Sequence, residues 1–125
     1  MTTDILSLAT YPVSAAVHGG QRRVRAIHEA LRKSGVSVAF APLYSKTAYP
    51  DGNQAEARFG YGAKVQEAAF RAGRRTDICA SEVVDVAPEI MDSLSALVDE
   101  CKPRCVQFEQ PWLFPVLARL RSRGR

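Results

Sequence analysis

The chain has 125 residues, the size of one domain able to bury a core of its own. Hydrophobic content of 46% and charged content of 24% are ordinary for a globular protein, and no apolar run approaches the ~18 residues that a membrane span needs. The net charge of +4 is carried mostly by dispersed arginines without interleaved aromatics. That pattern argues against nucleic acid and leaves phosphorylated small molecules or acidic lipid headgroups as anionic partners. In chain order, the apolar run Asp4 to Thr10 predicts a strand. A helix follows from about Gly20 to Ser34, with Val24, Ile27, Ala30 and Leu31 as its stripe and Gly35 as its stop. Val36 to Ala41 predicts a second strand closing at Pro42, which completes a β-α-β unit and implies a parallel pair.

Tyr44 to Asn53 reads as a loop, with Pro50 and Asp51-Gly52 as turn signals. Gln54 to Gly73 is helical in pattern, interrupted at Gly60 and Gly62, and Asp77 to Ser81 is a candidate short strand. Pro88 to Cys101 predicts a helix with Ile90, Leu94, Leu97 and Val98 inward and Pro103 beyond its end. Cys105 to Glu109 is the next strand, Pro111 starts a turn, and Trp112 to Arg123 is the last helix. This order predicts an α/β fold, Rossmann-like, with a mainly parallel sheet covered by helices on both faces. Such domains usually carry five or more strands, so an open sheet edge and a truncated domain are expected. The N-terminus lacks a basic segment ahead of an apolar one, so no secretory signal is expected. The odd set Cys79, Cys101 and Cys105 has no C-x-x-C and no zinc-ligand spacing, which points to free thiols in a reducing compartment. The expected localisation is cytoplasmic, compatible with peripheral docking at the inner face of the membrane.

Ligands of open α/β sheets sit beyond the carboxyl ends of the strands. Three segments collect there: Thr10 to Arg23, Leu43 to Asn53, and Glu109-Gln110-Pro111-Trp112. Gly19 and Gly20 open the first helix, where backbone N–H groups and the helix dipole favour an anion. The excursion before them is too long for a dinucleotide fingerprint. Arg22 and Arg23 oppose the dipole in the first turn, which makes sense if an anion neutralises that end. The plainer reading is a loop end with solvated arginines. His18 can bond a sugar hydroxyl, donate a proton or pack passively. His28 is read as structural or solvent-facing. Glu109 and Gln110 could bond a hydroxyl-rich ligand, or Glu109 could simply stabilise the helix that follows. Trp112 could stack on a sugar face or pack in the core. No hydrolase elbow, Walker loop or H-E-x-x-H motif is present.

Three segments resemble the N-terminal domain of GT-B retaining glycosyltransferases of family 4: Leu8-Ala9-Thr10-Tyr11-Pro12, His18-Gly19-Gly20-Gln21-Arg22-Arg23-Val24, and Ala30 to Val38. Lys102 to Leu113 is similar to that family's fourth-strand region, with Arg104 where the family often has Asp. The middle, about Tyr44 to Val86, carries little of the resemblance. The resemblance implies that residues 1–125 are an incomplete, acceptor-side domain and that a C-terminal nucleotide-sugar-binding domain is absent. It implies transfer of a sugar from a nucleotide diphosphate sugar, the donor substrate, to a sugar, lipid or small-molecule acceptor, without a resident cofactor or metal. Gly19, Gly20 and Arg22 would then approach the donor diphosphate, His18 would be catalytic, and Glu109, Gln110 and Trp112 would shape the acceptor side. The isolated chain is expected to be inactive. The alternative is a stand-alone α/β module that binds an anion or nucleotide without catalysis.

Overall fold

A computed structural model describes residues 2–69 and 80–122. β1 (Ile5–Ala9), α1 (Gly19–Lys33) and β2 (Val38–Pro42) form a β-α-β unit. Next come β3 (Tyr44–Ser45), α2 (Gln54–Ala57), β4 (Gly60–Tyr61) and α3 (Ala63–Ala69). After a 3-10 turn at Ala80–Glu82 the chain forms α4 (Val83–Val86), α5 (Pro88–Cys101) and β5 (Cys105–Phe108). A 3-10 turn at Pro111–Leu113 then leads into α6 (Pro115–Ser122). The fold is mixed α/β. Its main sheet is parallel, in the order β2-β1-β5, with Ile5 opposite Val38 and Cys105.

Alternation along β1 divides the interior. Leu6 and Leu8 pack into the larger cluster with Leu94 of α5, Leu113, and Val116 and Leu120 of α6. Ala9, on the opposite pleat, packs with Val24 of α1 in a second cluster with Tyr11 and Val13. Ser7 shares the α1 face and cannot be satisfied by apolar neighbours. It bonds to His28 of α1 and to Glu109. This explains why the inner face of α1 is Gln21, Val24 and His28, while Ala30 of the expected stripe lies exposed. His28 is therefore structural and buried, not solvent-facing. Gly35, at φ +85°, ends α1 in a conformation that a side chain disfavours.

The segment after β2 departs from its expected loop and helix. β3 and β4 pair in parallel as a separate two-stranded ribbon, Tyr44 opposite Gly60. A Cβ on Gly60 would meet the Tyr44 ring at 2.9 Å and the Lys46 side chain at 2.8 Å, so a larger residue there would have to displace both side chains. The helix expected to Gly73 is described as far as Ala69, and residues 77–79 of the candidate strand lie outside the described residues. Its Ala80 and Ser81 belong to the 3-10 turn. α5 has its expected bounds, with Pro88 at its start and Lys102 in a left-handed conformation at its end. The last helix begins later than Trp112, because Pro111 and Pro115 each open a turn of their own.

Candidate functional site

Because the three strands of the main sheet are parallel and Ala9 is in register with Pro42, and Leu8 with Phe108, their carboxyl ends share one edge. His18 caps α1 there. Its Nδ1 accepts the Gln21 N–H at 3.1 Å, and Gln21 Oε1 in return accepts the N–H groups of His18 at 3.1 Å and Val17 at 2.9 Å. Gln21 Nε2 donates to the Pro12 carbonyl at 2.8 Å. The Arg22 N–H goes to the His18 carbonyl at 3.1 Å. The Gly19 and Gly20 N–H groups are thus the first-turn donors that this cap does not use. With Nδ1 as acceptor, a neutral His18 ring carries its proton on Nε2, 3.3 Å from Tyr49 Oη. His18 is then a hydrogen-bond donor at this edge and not a base.

The two glycines differ. A Cβ on Gly20 would lie 2.8 Å from Tyr11 Oη and 3.2 Å from the His18 ring, whereas one on Gly19 would meet nothing within 4 Å. Packing therefore requires glycine at 20 and leaves the space beside 19 open. Arg22 and Arg23 are exposed on the same turn, which has no acidic residue.

A cavity of about 260 Å³ adjoins this helix end. Its walls are the loop after β1 (Pro12, Ala15, Val17), the start of α1 (His18, Gln21) and the segment 48–51. Tyr11, His18 and Tyr49 form a ring cluster, with the His18 centroid 4.8 Å from Tyr11 and 5.8 Å from Tyr49. Asp51, an exposed acidic residue, completes the wall.

Glu109, Gln110 and Trp112 are not among these walls. Gln110 is buried; its Oε1 accepts the Thr10 N–H at 3.0 Å and its Nε2 donates to Tyr11 Oη at 2.8 Å. It holds the tyrosine that sits under Gly20. The Glu109 side chain is 3% exposed, and its Oε2 accepts from Ser7 Oγ and from Gln107 Nε2, both at 2.6 Å. His28 Nε2 lies 2.9 Å from Ser7 Oγ and 3.9 Å from Glu109 Oε2. Burial pushes the His28 pKa down, more than the Glu109 carboxylate raises it, and Arg32 lowers it further. Trp112 is half-buried, and its indole N–H is enclosed without a partner among the described residues. Sequence reasoning places the segments Thr10 to Arg23 and Leu43 to Asn53 at this edge but does not single out Tyr11, Tyr49 and Asp51 within them. The signal for the inner network was Ser7, a polar residue amid an apolar strand, with Gln21 and His28 seven residues apart on one face of the following helix.

Comparison with protein-family models, curated proteins and solved structures gives no match. No helix among the described residues is long and apolar enough to cross a membrane.

Proposed function

We propose that this chain is the acceptor-side, Rossmann-like domain of a GT-B-type glycosyltransferase. The observation that carries the reading is the opening beside Gly19, next to unused first-turn N–H groups and a cavity at the carboxyl edge of a parallel sheet. In this reading the Gly19 and Gly20 N–H groups and Arg22 face the diphosphate of the donor. His18 Nε2–H, 3.3 Å from Tyr49 Oη, is shared with an oxygen of the reacting sugars. A second domain grips the nucleotide. The bond from the anomeric carbon to the phosphate oxygen breaks and a bond to the acceptor hydroxyl oxygen forms. The hydroxyl proton passes to the departing diphosphate or to water. Charge building on the leaving group is stabilised by donors fixed in advance. Glu109 and Gln110 serve the site from behind, by holding β1, α1 and Tyr11 in register.

The second reading, an anion- or nucleotide-binding module without chemistry, is favoured by the exposed Arg22 and Arg23 on the same turn as the unused N–H groups, which suit any anion. Titrating the isotope-labelled chain with UDP, GDP and ADP tests what both readings share. The Gly19 and Gly20 amide signals are expected to move. Gly19→Ala keeps the N–H but puts a Cβ into the open space beside it; by obstructing the close approach of the ligand to that donor it should weaken binding about fivefold or more, roughly the worth of one hydrogen bond, while leaving thermal stability equal or higher. Gly19 and Gly20 signals unmoved at millimolar nucleotide would overturn the reading. Sugar transfer by the chain alone would overturn the requirement for a second domain.

A further inference from the structure

We infer that the group held in the cavity beside His18 is a single neutral, hydroxyl-rich ring of monosaccharide size, and not its phosphate ester. The inference deepens the transferase reading, in which this cavity is the acceptor side. Size is the first argument. About 260 Å³ falls below the range usual for drug-sized ligands, which suits one ring; a longer ligand would project beyond the walls.

Wall chemistry is the second. Pro12, Ala15, Val17, Ala48 and Pro50 offer apolar surface, which suits the C–H faces of a sugar ring. The polar groups have complementary roles. A carboxylate at Asp51 only accepts, so it selects hydroxyl donors; the Nε2–H of a neutral His18 ring, 3.3 Å from Tyr49 Oη, can be shared with a ring or hydroxyl oxygen. Charge is the third argument. Asp51 is an anion on this wall, and among the described residues no lysine or arginine lines it. A phosphate placed here would face Asp51 without a counter-charge. Arg22 and Arg23 stand instead on the first turn of α1, with the unused glycine N–H groups. The edge is thus divided into an anion end at Gly19–Gly20 and, beyond His18, a cavity that suits an uncharged ligand.

The test uses the whole chain, isotope-labelled, and millimolar titrations with the methyl glycosides of glucose, galactose and mannose and with the corresponding 6-phosphates. At least one neutral glycoside is expected to shift the amide signals of Val17, Ala48 and Asp51. It should bind about fivefold or more tightly than its phosphate, the penalty for two like charges near 4 Å in water. Asp51 is exposed, so Asp51→Asn should keep the fold, weaken the glycoside and narrow that ratio. A phosphate ester that binds this wall as tightly as its parent, a ratio unchanged in Asp51→Asn, or no shift at these residues with any glycoside would each overturn the inference. UDP separates this outcome from the parent reading. UDP shifts at Gly19 and Gly20 without glycoside binding sink only the acceptor assignment. Glycoside preference with those glycines silent to UDP leaves a sugar-binding cavity and sinks the transferase.

Discussion

Gly19 and Gly20 are adjacent in sequence and opposite in constraint. At Gly20 the Tyr11 hydroxyl lies where a Cβ would go, and that hydroxyl is tied to Gln110. Gly20→Ala should therefore cost about 1–3 kcal/mol through overpacking, read as a lowered melting temperature, whereas Gly19→Ala should not lower it. Equal melting temperatures for the two variants would refute the contrast. Bulkier changes at position 20 disturb packing before they report on any ligand. His28 makes a second prediction. Its folded pKa lies below the ordinary 6.5 because burial disfavours the cation more than Glu109 favours it. The unfolded chain then binds a proton that the folded chain refuses. Stability is full above about pH 7.5 and declines as pH falls through 6.5 toward the folded value, by at most about 1.4 kcal/mol per pH unit. Asp4 and Asp85 are also shifted, but downward from 3.8, so their loss of stability belongs to lower pH. Urea unfolding at pH 7.5 and 5.5 checks the sign, and His28→Gln should flatten the dependence.

At the scale of elements, the start of α1 is fixed by buried polar contacts. Gln21 is 2% exposed and makes hydrogen bonds to the backbone of Pro12, Val17 and His18. Gln21→Ala strands the Val17 and His18 donors and should cost about 1–3 kcal/mol. Gln21→Glu keeps an acceptor for both N–H groups but turns a buried carboxylate oxygen toward the Pro12 carbonyl, so it too should lower the melting temperature. A Gln21→Ala variant as stable as wild type would show that the cap is ornamental. The same helix marks how far sequence reading reaches. Its bounds were legible from the glycines at both ends. Its inner face was not, because an apolar stripe was sought and the buried positions include Gln21 and His28. α5 was legible throughout, since Pro88, a 3.6-residue stripe and Pro103 agree. β3 and β4 were not, since two-residue strands carry no periodicity and they pair residues well separated in the chain, Tyr44 with Gly60.

For the molecule as a whole, the sheet edge and the glycine turn could be placed from sequence, whereas the inward turn of Glu109 and Gln110 could not. Their partners Ser7 and Thr10 lie 102 and 100 residues earlier, and only the parallel register of β5 on β1 brings them together. The cavity wall at 48–51 is equally non-local. That register carries a last prediction. Cys105 and Glu109 donate their N–H groups to the carbonyls of Asp4 and Leu8 on β1, and the two-residue period gives Gln107 the same direction. The N–H groups of Val106 and Phe108 then point away from β1, where no strand among the described residues pairs with β5. Amide exchange should therefore alternate along β5, with Val106 and Phe108 at least about tenfold faster than Gln107 and Glu109. In β1, flanked on both sides, Leu6, Ser7 and Leu8 should all be slow. Alternation would identify the β5 edge as the place where a further parallel strand can join this sheet. Uniform protection that rises with protein concentration would instead put a second copy of the chain on that edge.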